Sequence, residues 1–371
     1  MPARPPSKIS YFFMRIKKEY IRQVVSPART VVPSLPLEYQ IEPINYCNLR
    51  CPTCSSLRLG GTDKKWMTTK TFIKIADQLP SYSVVYLTNW GEPMLNPEII
   101  SIIKEGKKRG LMMRLDSNFN YDPKLNWEIV TSGLDSIKAS IDGTSQETYE
   151  KFRRGGSFDL AWRNFTEIAR LKHELKSRTP ELIWQFIVNR YNEHEVKNAK
   201  EMIVRVGGNA KLVFIPMGLR QDKTDWDQYS GEEMERMKRE WLPSKKKYIL
   251  PFFRNRKPNA AVSRTSCPWL WRSMSISVNL DVTPCCHAYM SKHAFGSLND
   301  SSLSQIWNNQ AYRTSRNMFL DTSYQGCRTI CSRCRNFIRG RTPNVIIRHW
   351  RFLLWFLRRS VFKLVELARS G

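Results

Sequence analysis

The chain has 371 residues, 41% hydrophobic and 12% aromatic, which excludes a disordered chain and leaves room for two domains with extensions. Its 60 Lys and Arg outweigh 33 Asp and Glu to give a net charge of +27, which calls for an anionic partner or surface. Residues 1–30 hold seven basic and one acidic residue, and residues 339–371 hold eight and one, so 13 of the 27 net charges sit in the two ends.

In chain order, residues 1–36 form a basic, Pro-punctuated extension whose apolar stretches are broken by Arg15, Lys17, Lys18 and Arg22, so no secretory signal is expected. Period-two patterning marks a strand at 37–41. A helix follows at 69–79 and a β-branched, aromatic strand at 83–88. The alternation continues with helix 97–109, strand 111–115, helix 123–131 and strand 136–141. Helix 157–177, strand 182–189, helix 193–206 and strand 211–216 complete it. Six strands, each after the first preceded by a helix, read as βαβ units. Their span suits a partial (β/α)6 TIM-like barrel at 37–220 better than an eight-fold barrel, which needs about 250 residues. A polar linker with one helix near 232–241 occupies 221–262, a small Cys-rich domain 263–340, and a basic tail 341–371. No run of 18 apolar residues occurs, so no membrane span is expected.

The nine cysteines are clustered rather than spread in pairs, which in a reducing cytosol reads as metal ligation rather than disulfides. Cys47, Cys51 and Cys54 form a C-x3-C-x2-C loop directly after the first strand. Three thiolates on one loop can hold three irons of a cubane and leave the fourth open. Zinc is the competing metal; it usually takes four ligands, and the closest His is His173. Gly91-Glu92-Pro93 follows the second strand, Asp116-Ser117-Asn118 the third, and Ser140-Ile141-Asp142-Gly143 the fourth. Each read alone is also a turn or a helix cap.

Together these motifs, at successive C-terminal strand ends where barrel active sites are built, resemble the radical S-adenosylmethionine (SAM) superfamily over residues 38–220. The resemblance implies a SAM-bound catalytic [4Fe–4S] cluster on Cys47, Cys51 and Cys54. It implies a SAM cradle of Gly91, Glu92, Ser117, Asn118, Ser140 and Asp142. It further implies reductive cleavage of SAM to a 5′-deoxyadenosyl radical and hydrogen abstraction from a substrate C–H, with an electron donor such as flavodoxin or ferredoxin. Two positions depart from the family: Thr53 replaces the aromatic before the third cysteine, and Trp90 the first Gly of a Gly-Gly-Glu motif.

Six further cysteines frame the C-terminal unit: Cys267-Pro-Trp, Asp281-Val-Thr-Pro-Cys285-Cys286, and Cys327, Cys331 and Cys334. With Phe295-Gly-Ser-Leu and Ile306-Trp307, the frame resembles the SPASM extension or its shortened twitch form. The full pattern has seven cysteines, and Leu280 stands at its usual Gly. The resemblance implies one auxiliary [4Fe–4S] cluster on Cys267, Cys285, Cys331 and Cys334, with Cys327 or Cys286 able to replace one ligand; a zinc ribbon is the alternative. A closed auxiliary cluster suits electron acceptance, as in oxidation or dehydrogenation.

Residues 346–369 place Trp350, Leu353, Leu354, Leu357, Val361 and Leu364 on one helical face, with Arg351, Arg358, Arg359 and Lys363 opposite. This is a basic amphipathic helix suited to an anionic membrane surface, or else to packing on the barrel. Nucleic acid is not the expected partner, because no RNA-binding module is visible. The expectation is a cytoplasmic enzyme, peripheral on the membrane face, acting on a lipid or lipid-linked sugar; a soluble sugar, cyclitol or peptide is the alternative substrate. A non-catalytic metal-binding scaffold is the rival class, and it has no need of a SAM cradle.

Overall fold

A computed structural model describes residues 29–54, 63–219, 231–249, 267, 269–286, 288, 291–321 and 324–333. Residues 1–28, the tail at 341–371 and Cys334 lie outside the described residues.

The alternation predicted from sequence is present. The chain runs β1 (Glu38–Ile41), α1 (Thr69–Ala76), β2 (Val84–Leu87), α2 (Ile99–Lys108), β3 (Met112–Ser117), α3 (Leu125–Thr131) and β4 (Ser136–Ser140). It continues through α4 (Gln146–Phe152), α5 (Phe158–Glu174), β5 (Glu181–Val188), α6 (Val196–Val206) and β6 (Ala210–Pro216). Strands β1 to β6 pair in parallel and in sequence order. Their alternate residues, among them Tyr39, Val85, Leu115, Ile137 and Trp184, are buried with the apolar faces of the helices. That places the helices on one side of the sheet and leaves the other side as the inner face.

α4 had no sequence prediction. Ser145 caps it by accepting from the Thr148 N–H at 3.4 Å, and it buries Tyr149 and Phe152, three residues apart, amid polar neighbours. Helix α6 begins later than expected because Asn189 to Asn192 close a turn first: the Asn189 N–H donates to Asn192 Oδ1 at 2.7 Å.

After α7 (Gly231–Trp241) and α8 (Trp269–Arg272) come β7 (Ser273–Ile276), β8 (Asp281–Thr283), β9 (Gly296–Ser297), α9 (Leu303–Trp307) and α10 (Gln310–Leu320). Strand β7 pairs in parallel with β1, so the sheet order is β6-β5-β4-β3-β2-β1-β7-β8-β9 and the Cys-rich unit extends the barrel sheet. Leu280, in the β7–β8 turn, has φ +70°, the left-handed region that glycine enters without penalty.

Arg316 of α10 locks this unit to the N-terminal segment. It is fully buried and donates to the carbonyls of Leu270 and Thr30 and to Asn308 Oδ1, at 2.9–3.0 Å. Its guanidinium lies over the rings of Trp307 and Tyr312. No helix among the described residues is long and apolar enough to cross a membrane.

Candidate active site at the carboxyl ends of the strands

The C-x3-C-x2-C loop leaves β1 and is fastened to the ends of β2 and β3 and to the turn after α4. The Glu92 N–H donates to the Tyr46 carbonyl at 2.8 Å, and Arg50 N–H to the Arg154 carbonyl at 2.9 Å. Asn48 Nδ2 donates to the Asn120 carbonyl at 2.8 Å and accepts through Oδ1 from Asn118 Nδ2 at 2.9 Å. Asn118 and Asn120 belong to a tight turn after β3, in which Phe119 takes a left-handed φ of +61°. Asn164 of α5 supports that turn by donating to the Phe119 and Tyr121 carbonyls at 3.0 Å.

Gly91 is required by space rather than by φ. A Cβ there would stand 2.0 Å from the Ile44 carbonyl oxygen and 2.8 Å from that of Tyr46. The Gly91–Glu92 backbone is therefore pressed against the segment that leads into Cys47. Glu92, 3% exposed, accepts from Met94 N–H at 3.1 Å and Asn118 N–H at 2.7 Å. Burial pushes its carboxyl up to about 7, against these donors, the Ser117 hydroxyl and Arg153.

Ser117 is buried and its hydroxyl accepts from the Phe119 N–H at 3.0 Å, while Ser140 is half-buried at the end of β4. Asp142 is fully buried, and both its oxygens are engaged: Oδ1 by Ile187 N–H at 2.6 Å, Oδ2 by Arg153 Nε and Nη2, each at 2.6 Å. Arg153 reaches onward, with Nη1 3.8 Å from Cys51 Sγ. Burial pulls the guanidinium pKa down, but Asp142, then Cys51, outweigh it and hold Arg153 above its ordinary value. So Asp142 acts on the loop through Arg153. Glycine is also demanded at 143, where a Cβ would stand 2.7 Å from Tyr149 N.

The donor set suits an iron–sulfur cluster. Cys47, Cys51 and Cys54 form no disulfide, and Cys54 lies close enough to Cys47 and Cys51 to help raise the pKa of each. Burial pushes the Cys47 thiol up to about 12 and Cys51 upward as well, so ionisation needs a cationic centre. N–H donors are already aimed at the sulfurs: Leu49 N at 3.4 Å and Asn118 Nδ2 at 3.7 Å from Cys47, besides Arg153 at Cys51. Such donors are the outer support that metal-bound thiolates take. Among the described residues, no three His, Cys, Asp or Glu converge on a single-ion site.

In the C-terminal unit, Cys267 and Cys331 are buried in the main core, Cys285 and Cys286 are half-buried, and Cys327 is exposed. Cys285 and Cys331 both lie close enough to Tyr312 to raise its pKa, behind burial as the larger cause. The Cys331 N–H donates to Thr329 Oγ1 at 3.3 Å, and that hydroxyl pairs with Ser315 of α10 at 2.7 Å. The structure thus brings Cys285 and Cys331 to one ring and Cys267 into the same core.

Sequence reading passed over Asn48, Asn120, Arg153 and Glu42. Glu42, one residue past β1, is 5% exposed and accepts from Val278 N–H at 3.1 Å, and the Trp90 backbone and the Asn89 side chain also bond it. It ties the ends of β1 and β2 to the β7–β8 turn. Burial, opposed by those donors, raises its carboxyl from 4.5 to about 7. A folded pKa above the unfolded one means stability that is full below pH 4.5 and lost as pH rises through 7. At about 1.4 kcal/mol per unit, the parent should lose about 3 kcal/mol relative to Glu42→Gln across that window. Urea unfolding of both proteins at pH 4.5 and 8 measures it, and a pH-independent difference would reject the assignment.

Comparison with known proteins agrees with this geometry. The radical SAM superfamily profile matches residues 41–228, and the profile of the iron–sulfur cluster-binding domain SPASM matches residues 267–335. The chain is 23% identical over 323 residues to the tungsten-containing aldehyde ferredoxin oxidoreductase cofactor-modifying protein of Pyrococcus furiosus, covering 79% of this chain and 86% of that one. It is 23% identical over 207 residues to the mycofactocin maturase MftC of Mycolicibacterium smegmatis, covering 55% of this chain and about half (51%) of the maturase. The fold is similar to that of Streptococcus suis SuiB bound to S-adenosylmethionine, with a TM-score of 0.57, 14% identity and coverage of 92% of this chain and 80% of that one. SuiB is also known bound to its precursor peptide SuiA.

Proposed function

The chain belongs to the radical SAM superfamily and carries a SPASM iron–sulfur domain, and on that premise we propose that it oxidises or otherwise modifies a polar substrate at an unactivated C–H bond. Its cofactors are SAM and a [4Fe–4S] cluster, with iron–sulfur in the SPASM domain, and an external reductant feeds it. When bound, cluster and SAM supply a one-electron cleavage whose 5′-deoxyadenosyl radical removes a hydrogen atom from substrate.

The observation that carries the reading is the Glu92–Asn118–Asn48 network, which fastens the thiol loop to the ends of β2 and β3. In it, Cys47, Cys51 and Cys54 hold the catalytic cluster. The Gly91–Glu92 backbone and carboxylate, with Ser117, Asn118 and Ser140, form the SAM side, and Asp142 positions Arg153 against Cys51. Cys267, Cys285, Cys331 and Cys334 hold an auxiliary cluster that takes up the substrate electron, and flavodoxin or ferredoxin serves as reductant. Burial of Cys51, Glu92 and Asp142 limits water on that side of the site.

The anaerobically reconstituted parent, given SAM and dithionite, should form 5′-deoxyadenosine detectable by mass spectrometry, and the Cys47→Ala/Cys51→Ala/Cys54→Ala protein should form none. Equal signals from both would end the catalytic reading.

A membrane-borne substrate, a lipid or lipid-linked sugar, is supported by the basic amphipathic pattern of residues 346–369. Each basic residue near an anionic surface adds about 1 kcal/mol, so removing 341–371 should lower vesicle binding by orders of magnitude. Unchanged cosedimentation with phosphatidylserine vesicles would remove this substrate reading. The peptide bound by SuiB and the polar inner face described next favour a soluble polar substrate, a sugar, cyclitol or peptide.

A further inference from the structure

The helix-facing side of the sheet is apolar, and the inner side is not. Register places Gln40, Tyr86 and Arg114 in one row on β1, β2 and β3, Asp116 beside Lys138 in the next, and Ser140 beside Gln185 above it. All are half-buried, between neighbours such as Ile41, Val85, Leu115 and Ala139 that are buried against the helices. Across β1 to β4 this face offers hydrogen bonds to a polar ligand, and its apolar members, Val84 and Met112 at one edge and Ile183 and Ile187 on β5, lie to the side of that polar stretch.

The charges are unevenly matched. Lys138 Nζ pairs with Asp116 Oδ2 at 3.2 Å. Arg114 donates through Nη1 to the Tyr86 hydroxyl at 3.3 Å and lies 5.5 Å from the centre of that ring. Its Nε is buried and meets no acceptor, and among the described residues no carboxylate pairs with it. The Nε–Nη2 edge is the side of a guanidinium that matches a carboxylate or phosphate with two parallel hydrogen bonds. A half-buried guanidinium whose buried Nε–H meets no acceptor is costly unless an anion that enters the face completes it. Arg114 sits four residues before Asn118, so at about 3.3 Å per residue it lies roughly 13 Å below the turn that holds the thiol loop.

We propose that Arg114, seated on Tyr86, anchors an anionic group, carboxylate or phosphate, of a polar substrate lying on the inner face of the sheet. The inference deepens the reading above and rests on it for where the substrate reacts. The anion fixes one end of the ligand, and the Asp116–Lys138 and Ser140–Gln185 rows lie between that end and the strand ends.

The test is calorimetric titration of inorganic pyrophosphate, and separately succinate, into the anaerobically reconstituted full chain. Parent, Arg114→Met and Arg205→Met are compared, the last removing an exposed cation on α6. At least one probe should bind the parent, Arg114→Met should weaken it about tenfold or more, and Arg205→Met should match the parent. Pyrophosphate alone binding assigns a phosphorylated group such as a lipid-linked headgroup; succinate alone assigns a carboxylate; both assign the shared anion. No binding at millimolar concentration, or equal binding by Arg114→Met, overturns the proposal. Arg114→Gln decides in the same way if the Met variant fails to fold. Parental SAM cleavage is assayed beside it: a silent parent that binds pyrophosphate through Arg114 removes the catalytic reading and leaves the anchor standing.

Discussion

Replacing Gly91 by Ala should abolish most SAM cleavage while leaving the chain folded. The methyl group would stand 2.0 Å from the Ile44 carbonyl oxygen, and the three nearest atoms are all backbone, so no side chain can swing aside. Either the Gly91–Glu92 segment or the stretch leading into Cys47 must move. The Glu92 N–H to Tyr46 carbonyl bond spans that contact, and the Glu92 carboxylate fixes Asn118, so the shift spreads to the turn after β3. Overpacking of this kind costs about 1–3 kcal/mol, and displacement of a reacting group by about 1 Å can cost about 100-fold in rate. The expected result is 5′-deoxyadenosine formation reduced about 100-fold with bound iron near the parental amount. Gly208→Ala is the control, since a Cβ there meets nothing within 4 Å. Parental SAM cleavage by Gly91→Ala would mean that the close approach is not needed for SAM.

What the sequence disclosed and what it hid divide along range. Strand and helix succession was legible because hydrophobic period is local: β3 shows it in Met113 and Leu115, α2 in Ile99, Ile102 and Ile103. The thiol loop was legible because its three cysteines lie within eight positions of one another. The fastenings of that loop were not. Arg153 meets Cys51 across 102 positions and Asn48 meets Asn120 across 72, and neither residue stands out in a polar stretch. Glu42 lies just past the predicted strand 37–41 and carries no local signal, and only the arrival of Val278, 236 positions on, makes it a buried junction. The parallel pairing of β7 with β1 was hidden for the same reason, since Ser-Met-Ser-Ile carries only two apolar residues. Leu280 is the reverse case: the resemblance marked a glycine position, and the backbone there is left-handed in spite of the leucine.

The Asp142–Arg153 pair should prove the most expensive single contact to break. Asp142 is fully buried and the Arg153 side chain is 13% exposed, so little water can replace a lost partner. Removing one member of a buried pair leaves an uncompensated charge and costs about 3–5 kcal/mol. Asp142→Ala and Arg153→Met should each lower unfolding stability by about that much, read as a shift of the urea midpoint. The double variant Asp142→Ala/Arg153→Met leaves no stranded charge, so it should recover part of the loss. A coupling energy of about 1–3 kcal/mol between the two sites is expected. Strictly additive losses would mean that Arg153 is held by the thiol loop rather than by Asp142. In that case Arg153→Met alone would release iron, while Asp142→Ala would not; under the pairing described here, both variants loosen Cys51 and both lower the iron content.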